Sequence, residues 1–139
     1  PASLSRLRAA KSAGKYSFVI EQGATLSFEL QYKDGTGQPI SLSGYSGRMQ
    51  IRPTVDSSVT YLTLSSSINN DGTGLNFSGS NGVTPITSGS IGVYIASTTS
   101  SLLNFGQAVY DLEIYSNATP PVVTRLIEGN IRLSKEVTR

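Results

Sequence analysis

Asp111 and Glu113 stand two residues apart in "QAVYDLEIYS", and their spacing is the one that suggests acid–base work. On an extended strand, side chains at i and i+2 leave the same face about 7 Å apart. Paired carboxyls about 5–10 Å apart are what glycoside-type catalysis requires, and the same pair could share a cation. Strands also present charged rows to solvent as a matter of course, and Arg48 or Arg125 could pair with these acids across a sheet. That charged-face reading is the expected one. The chain contains no His and no Cys. It therefore lacks the commonest general base and metal ligand, a thiolate zinc site and a disulfide frame. Ser-rich stretches without His cannot form the usual Ser–His nucleophile pair. Two "DGTG" segments, 34–37 and 71–74, invite a calcium-loop reading, but neither supplies alternating ligands and a closing Glu. Turn chemistry accounts for both. No GxGxxG, P-loop, GxSxG or HExxH motif occurs. The expectation is a protein without catalytic, cofactor-binding or metal-binding residues, and not an enzyme.

The elements that would position these residues are strands. In 24–32, Leu26, Phe28, Leu30 and Tyr32 share one face with period 2. Residues 33–39 form a hairpin loop by chemistry, with Asp34-Gly35 at a positive-φ corner and Pro39 blocking further pairing at its nitrogen. Residues 40–45 lead into 47–52, where Met49 and Ile51 face one way and Arg48, Gln50 and Arg52 the other, and Pro53 ends the strand. Residues 16–20, 59–64, 75–79 and 90–97 read as further extended segments. In 97–105 the period breaks, and a Ser/Thr cap followed by Leu102, Leu103 and Phe105 fits one short helical turn. Residues 107–116 turn Ala108, Tyr110, Leu112 and Ile114 inward and Val109, Asp111, Glu113 and Tyr115 outward. Residues 122–137 close the pattern as a long strand, with Gly129 the expected bulge. Short strands punctuated by Gly, Asp and Pro predict an all-β antiparallel sandwich or barrel. The expected core is Leu26, Phe28, Leu30, Met49, Ile51, Ile91, Val93, Ile95, Tyr110, Leu112, Ile114, Leu126 and Ile131.

Charge divides the chain more sharply than its net value of +2 suggests. Arg6, Arg8, Lys11 and Lys15 fall within the first fifteen positions, which hold no acid, whereas the other 124 carry seven basic and nine acidic residues. Residues 1–14 offer little apolar surface beyond Leu4 and Leu7. Ordering costs about 1–2 kcal/mol per residue of backbone, so this segment reads as a basic arm, loosely helical at most and mobile until it meets a partner. The expected division is an arm over 1–14 and a β-sandwich over 15–139. A basic arm can hold phosphate, but four charges without interleaved aromatics give no base stacking. Docking to protein is the expected use, with Leu4 and Leu7 in a groove and Arg6, Arg8, Lys11 and Lys15 facing acidic surface on an adjacent subunit. No specific nucleic acid and no small-molecule substrate are expected. No apolar run approaches the roughly 20 residues that span a bilayer, and no h-region follows the basic start. The expectations are no membrane partner and cytoplasmic synthesis without export.

The segments 16–52, 108–116 ("AVYDLEIYS") and 123–139 ("VTRLIEGNIRLSKEVTR") together resemble a family of small structural proteins encoded by tailed bacteriophages. Its members share an opening of the form "f.i.qGat…y.d..G.pi.LtGy.armqiR" and a close of the form "YDLEl…g.vtrll.G.v.v..eVTR". The opening also resembles, more loosely, the N-terminal domain of phage baseplate upper proteins. This chain departs from the pattern at "NATPPVVTR", where a Pro pair stands in place of a Gly turn. The resemblance implies an immunoglobulin-like β-sandwich and a multicopy virion component of tail, baseplate or neck. Its implied partners are other virion structural proteins and symmetry copies of itself, in a chain made in the host cytoplasm. Two alternatives stand beside it: a capsid decoration or cement protein, and a carbohydrate- or receptor-binding β-sandwich, although the aromatic platform such a site presents is not evident, with Trp absent and Tyr32, Tyr61 and Tyr94 falling within expected strands.

Overall fold

The computed structural model describes the backbone of residues 4–8 and the whole of residues 14–138. Ten strands follow one another: β1 (Leu4–Arg8), β2 (Gly14–Lys15), β3 (Phe18–Glu21), β4 (Leu26–Lys33), β5 (Tyr45–Arg52), β6 (Leu62–Ser65), β7 (Gly74–Asn76), β8 (Ser90–Ile95), β9 (Gln107–Ser116) and β10 (Val123–Ser134). A 3-10 turn covers Ile86–Ser88, and one helical turn, α1 (Ser97–Ser100), joins β8 to β9 where the period-2 pattern broke. The strands form two sheets, one ordered β1-β4-β8-β7 and the other β10-β9-β5-β6, with β2 and β3 one after the other along the outer edge of β10. Four strands facing a sheet of this order make the immunoglobulin-like sandwich. The sandwich is antiparallel at its centre, but β1 runs parallel to β4, and β2 and β3 run parallel to β10.

Alternation decides which face is buried. In β4 Phe28, Leu30 and Tyr32 are buried, in β5 Met49 and Ile51, and in β9 Ala108, Tyr110, Leu112 and Ile114. Of the expected core, all but Leu26 are buried, and Leu26 packs half-buried against the cluster. The core also takes in Ile20, Leu42, Leu64, Leu75, Phe77, Leu103, Phe105, Ile127 and Leu133. Leu42 lies in the stretch expected to be extended, yet no strand forms there. The chain is crossing from one sheet to the other, and Leu42 is wholly buried in the core on the way.

Two features of the chain differ from the pattern its sequence suggests. The loop after β4 does fold back on itself, with Asp34 N donating to Gln38 O and Ile40 N donating to Tyr32 O. Its positive-φ residue, however, is Gly37 (φ 90°) and not Gly35. In β10 the register shifts between Arg125 and Ile127, so the bulge sits at Leu126, while Gly129 pairs regularly with Tyr110. The bulge turns adjacent Leu126 and Ile127 both inward and reverses the alternation beyond them, which brings Ile131 and Leu133 into the core. Gly129 serves a different need, because a Cβ there would fall on the carbonyl of Tyr16. The Pro pair between β9 and β10 does not disturb the hairpin: Ser116 N donates to Val122 O, and the Thr119–Pro120 bond is cis.

Candidate functional site

The outward residues of β5, β9 and β10 form one concave face with a cleft of about 590 Å³. The register places Arg48 and Arg125 on either side of Glu113, and Gln50 and Glu128 on either side of Asp111. Arg48 Nε lies 3.3 Å from Glu113 Oε1, and its guanidinium sits 5.0 Å from the ring centroid of Tyr115. Arg125 Nε is 3.4 Å from Asp111 Oδ2, and its Nη1 donates to Glu128 Oε1 at 3.1 Å. Lys15 Nζ completes the row on Glu128. Arg52 is held apart from the acids, with Nη1 donating to Ser57 O and Nη2 to Gln50 Oε1.

Environment sets these carboxylates in opposite directions. Burial raises Asp111 above the usual Asp range, helped by the negative charges of Glu113 and Glu128 and opposed by Arg125 and Arg52. Glu128 is lowered, chiefly by its hydrogen bond from Lys15. Asp111 and Glu113 do share a face, as their spacing requires. Each is nonetheless engaged by an arginine of a neighbouring strand, the pairing expected from Arg48 and Arg125. The row is a cross-strand charge ladder whose exposed pairs each contribute about 0–1 kcal/mol.

The arm residues are dispersed. Leu4, Arg6, Leu7 and Arg8 belong to β1, where a strand forms and no helix. Lys11 lies outside the described residues. Lys15 belongs to β2, and its ammonium faces Glu128 of its own chain.

The turn acids have structural duties. Asp34 Oδ1 accepts from Thr36 N, Thr36 Oγ1 and Gln38 N and so closes its own loop. Asp71 accepts from Thr73 N at 3.0 Å, Thr98 Oγ1 at 3.1 Å and Thr99 Oγ1 at 2.6 Å, which ties the β6–β7 loop to α1. These donors, led by Thr99 Oγ1, lower Asp71 to about 2. A carboxyl depressed on folding stabilises the fold above its ordinary titration and loses that contribution as pH falls through the folded value. The urea midpoint of the protein is therefore expected to fall between pH 4 and pH 2, and Asp71→Asn is expected to flatten part of that fall. Parallel pH profiles for the two proteins would refute the assignment. Among the described residues, no group of three or more His, Cys, Asp or Glu could hold a metal ion. No helix among them is long and apolar enough to cross a membrane.

The three tyrosines do not assemble into a platform. Tyr32 is buried in the core, Tyr61 stacks on Phe105 with centroids 4.7 Å apart, and Tyr94 is exposed on β8.

No family model matches the chain, and no curated protein does. Among solved structures it is similar to the N-terminal domain of phage TP901-1 ORF48, with a TM-score of 0.50 and 9% identity, over 96% of this chain and 97% of that one. At that identity the likeness is one of fold.

Proposed function

We propose that this chain is a non-enzymatic structural component of a tailed-phage virion. In this reading it is present in several copies in the tail, baseplate or neck, and it docks to neighbouring subunits through its N-terminal arm and sheet edges. The observation that carries the reading is the likeness of fold, across nearly the full length of both chains, to a domain of a phage protein. The strand-and-turn pattern of 16–52 and 108–139 points the same way. The physical argument concerns edges. A sandwich of open sheets leaves ladder groups at its rims. Its far edges are short strands, β6 with four residues and β7 with three. Beside β4, the other edge of that sheet is the five-residue β1, which pairs with β4 at Leu30, Tyr32 and Lys33. An assembly of such subunits can satisfy these rims between copies.

Locating the subunit in a particle reconstruction tests the placement: density in the tail or neck supports it, and density on capsid capsomers would make the chain a decoration protein instead. The arm is tested separately. Deleting residues 1–14 is expected to leave the melting temperature of the domain nearly unchanged and to abolish incorporation into particles. Wild-type occupancy of the truncated chain would show that the arm is not the docking element.

A further inference from the structure

We infer that the outer face of β10, β9 and β5 is the interface of a two-fold homodimer, in which the loop after β5 of each copy seats in a cleft of the other. This surface is neither the arm nor a sheet edge, so the inference adds to the proposed docking role without depending on it. The face carries two clefts, the one of about 590 Å³ described above and a second of about 420 Å³, and Ser17, Val109 and Asn130 line both. Phe18, Val19, Pro53 and Val109 give the second cleft an apolar wall, and exposed Arg132 stands beside it. Of the cations lining these clefts, Lys15, Arg48 and Arg125 are engaged by acids of the same chain, and Arg52 is held on loop carbonyls. Arg132 has no such partner among the described residues. It is the cation that this face leaves over.

The loop after β5 carries the complement. It borders both clefts, with Val55 at the larger and Pro53 at the smaller. Val55 is 82% exposed, and Asp56 is exposed next to it. Asp111, Glu113 and Glu128 are each engaged by a cation of their own chain, whereas Asp56 has no partner among the described residues. The loop is held in shape before any contact: Arg52 Nη1 donates to Ser57 O at 3.0 Å, and Ser57 N donates to Thr54 O. A preorganised element loses less entropy on binding. Loop and cleft lie on one face, which is the condition for an isologous contact, in which one patch is complementary to itself. Arg52 on β5 and Arg132 on β10 are separated by β9, and two strand spacings make about 10 Å. A two-fold axis over β9 near Val109 sets Asp56 of each copy against Arg132 of the other, and Val55 against Val19, which is 39% exposed. The dimer then makes two such ion pairs and covers two apolar clefts. β9 alone has ten residues, about 33 Å of strand, which leaves room for the ~800 Å² per partner of a standard interface.

Sedimentation of the purified full-length chain is expected to show a dimer that dissociates on dilution. Asp56→Arg and Arg132→Asp lie at exposed positions, and each is expected to raise the dissociation constant by about tenfold or more, since like charges then meet twice across the axis. Mixing the two variants is the decisive measurement: both contacts regain opposite charges, so a heterodimer of near wild-type affinity is expected where each variant alone is monomeric. A second reading does not depend on charge. The chain has no Cys, so Asp56→Cys mixed with Arg132→Cys and treated with a short bismaleimide is expected to give a covalent heterodimer. None is expected from Asp56→Cys mixed with Lys33→Cys, whose thiol lies on the opposite sheet. A wild-type chain that stays monomeric up to its solubility limit overturns the inference, and so does a dimer that neither charge variant weakens. Either result leaves the deletion test of the arm unaffected, and normal incorporation of the arm-deleted chain leaves the dimer standing.

Discussion

Replacing Leu112 by Ala is expected to lower the unfolding free energy by about 2–5 kcal/mol, the range for deleting a fully buried aliphatic side chain. Leu112 is wholly buried and sits at the middle of the central strand of its sheet, paired with Met49 on β5 and Ile127 on β10, both of them buried as well. Ladders on both sides hold the backbone, so the site cannot collapse into the space left behind, and the cavity term should be felt in full. With no Cys, no disulfide pins the two sheets together, and packing of such residues must do so unaided. Domains of this size carry roughly 5–15 kcal/mol in total, and each kcal/mol moves the melting temperature by about 2–4 °C. Urea and thermal unfolding of Leu112→Ala should therefore show a large shift. Glu113→Ala, one residue along on the opposite face, should stay within about 0.5–1 kcal/mol of wild type. Equal effects at the two positions would contradict the assignment of inner and outer faces.

Gly129→Ala is expected to be nearly as damaging, although it adds only a methyl group and its φ is unremarkable. The new Cβ would be directed into the Tyr16 carbonyl, where the chain passes between β2 and β3 along the edge of β10. Backbone on both sides of that contact is tethered: Tyr16 N donates to Glu128 O, and Tyr110 Oη donates to Tyr16 O at 2.6 Å. Relief requires the β2–β3 segment to lift away from β10. Overpacking of this kind costs about 1–3 kcal/mol, and a buried hydroxyl left without its acceptor adds about 1–3 kcal/mol. Burial already pushes the Tyr110 phenol well above its usual range, which marks how little water reaches it. A double-mutant cycle separates the two terms. Tyr110→Phe should cost about 1 kcal/mol in the wild-type background and much less in Gly129→Ala, because the hydrogen bond is then already lost. Additive effects would mean that the segment stays in place and the methyl group is accommodated elsewhere.

Strand faces were legible in the sequence because they depend on nothing beyond local alternation. Phe28 and Leu30 in β4, Met49 and Ile51 in β5, and Tyr110 and Leu112 in β9 point inward in any half-buried strand with those residues. The helical turn at Ser97–Ser100 was legible for the same reason, since it is where the alternation fails. Arg48 and Arg125 could be named as partners of the acids on β9, because a charged outer row needs counter-charges on adjacent strands. The bulge was not legible: it was expected at Gly129 and lies at Leu126, where adjacent Leu126 and Ile127 both face inward.

What the tertiary structure alone decided are the contacts between segments far apart in the chain. The parallel seating of β2 and β3 on β10 joins residues more than a hundred positions apart, and it explains Gly129 through Tyr16, which the local sequence cannot show. The hydroxyls of Thr98 and Thr99 reach Asp71 from 27 and 28 positions away, turning an apparent turn residue into a clamp. The seating of β1 on β4 is of the same kind, with residues 4–8 reading as a polar arm until an open edge is there to receive them. Period and turn chemistry are properties of a few adjacent residues, so the sequence carries them directly. Edge pairing and long-range hydrogen bonds depend on which backbone groups remain unpaired once both sheets have formed, and that exists only in three dimensions.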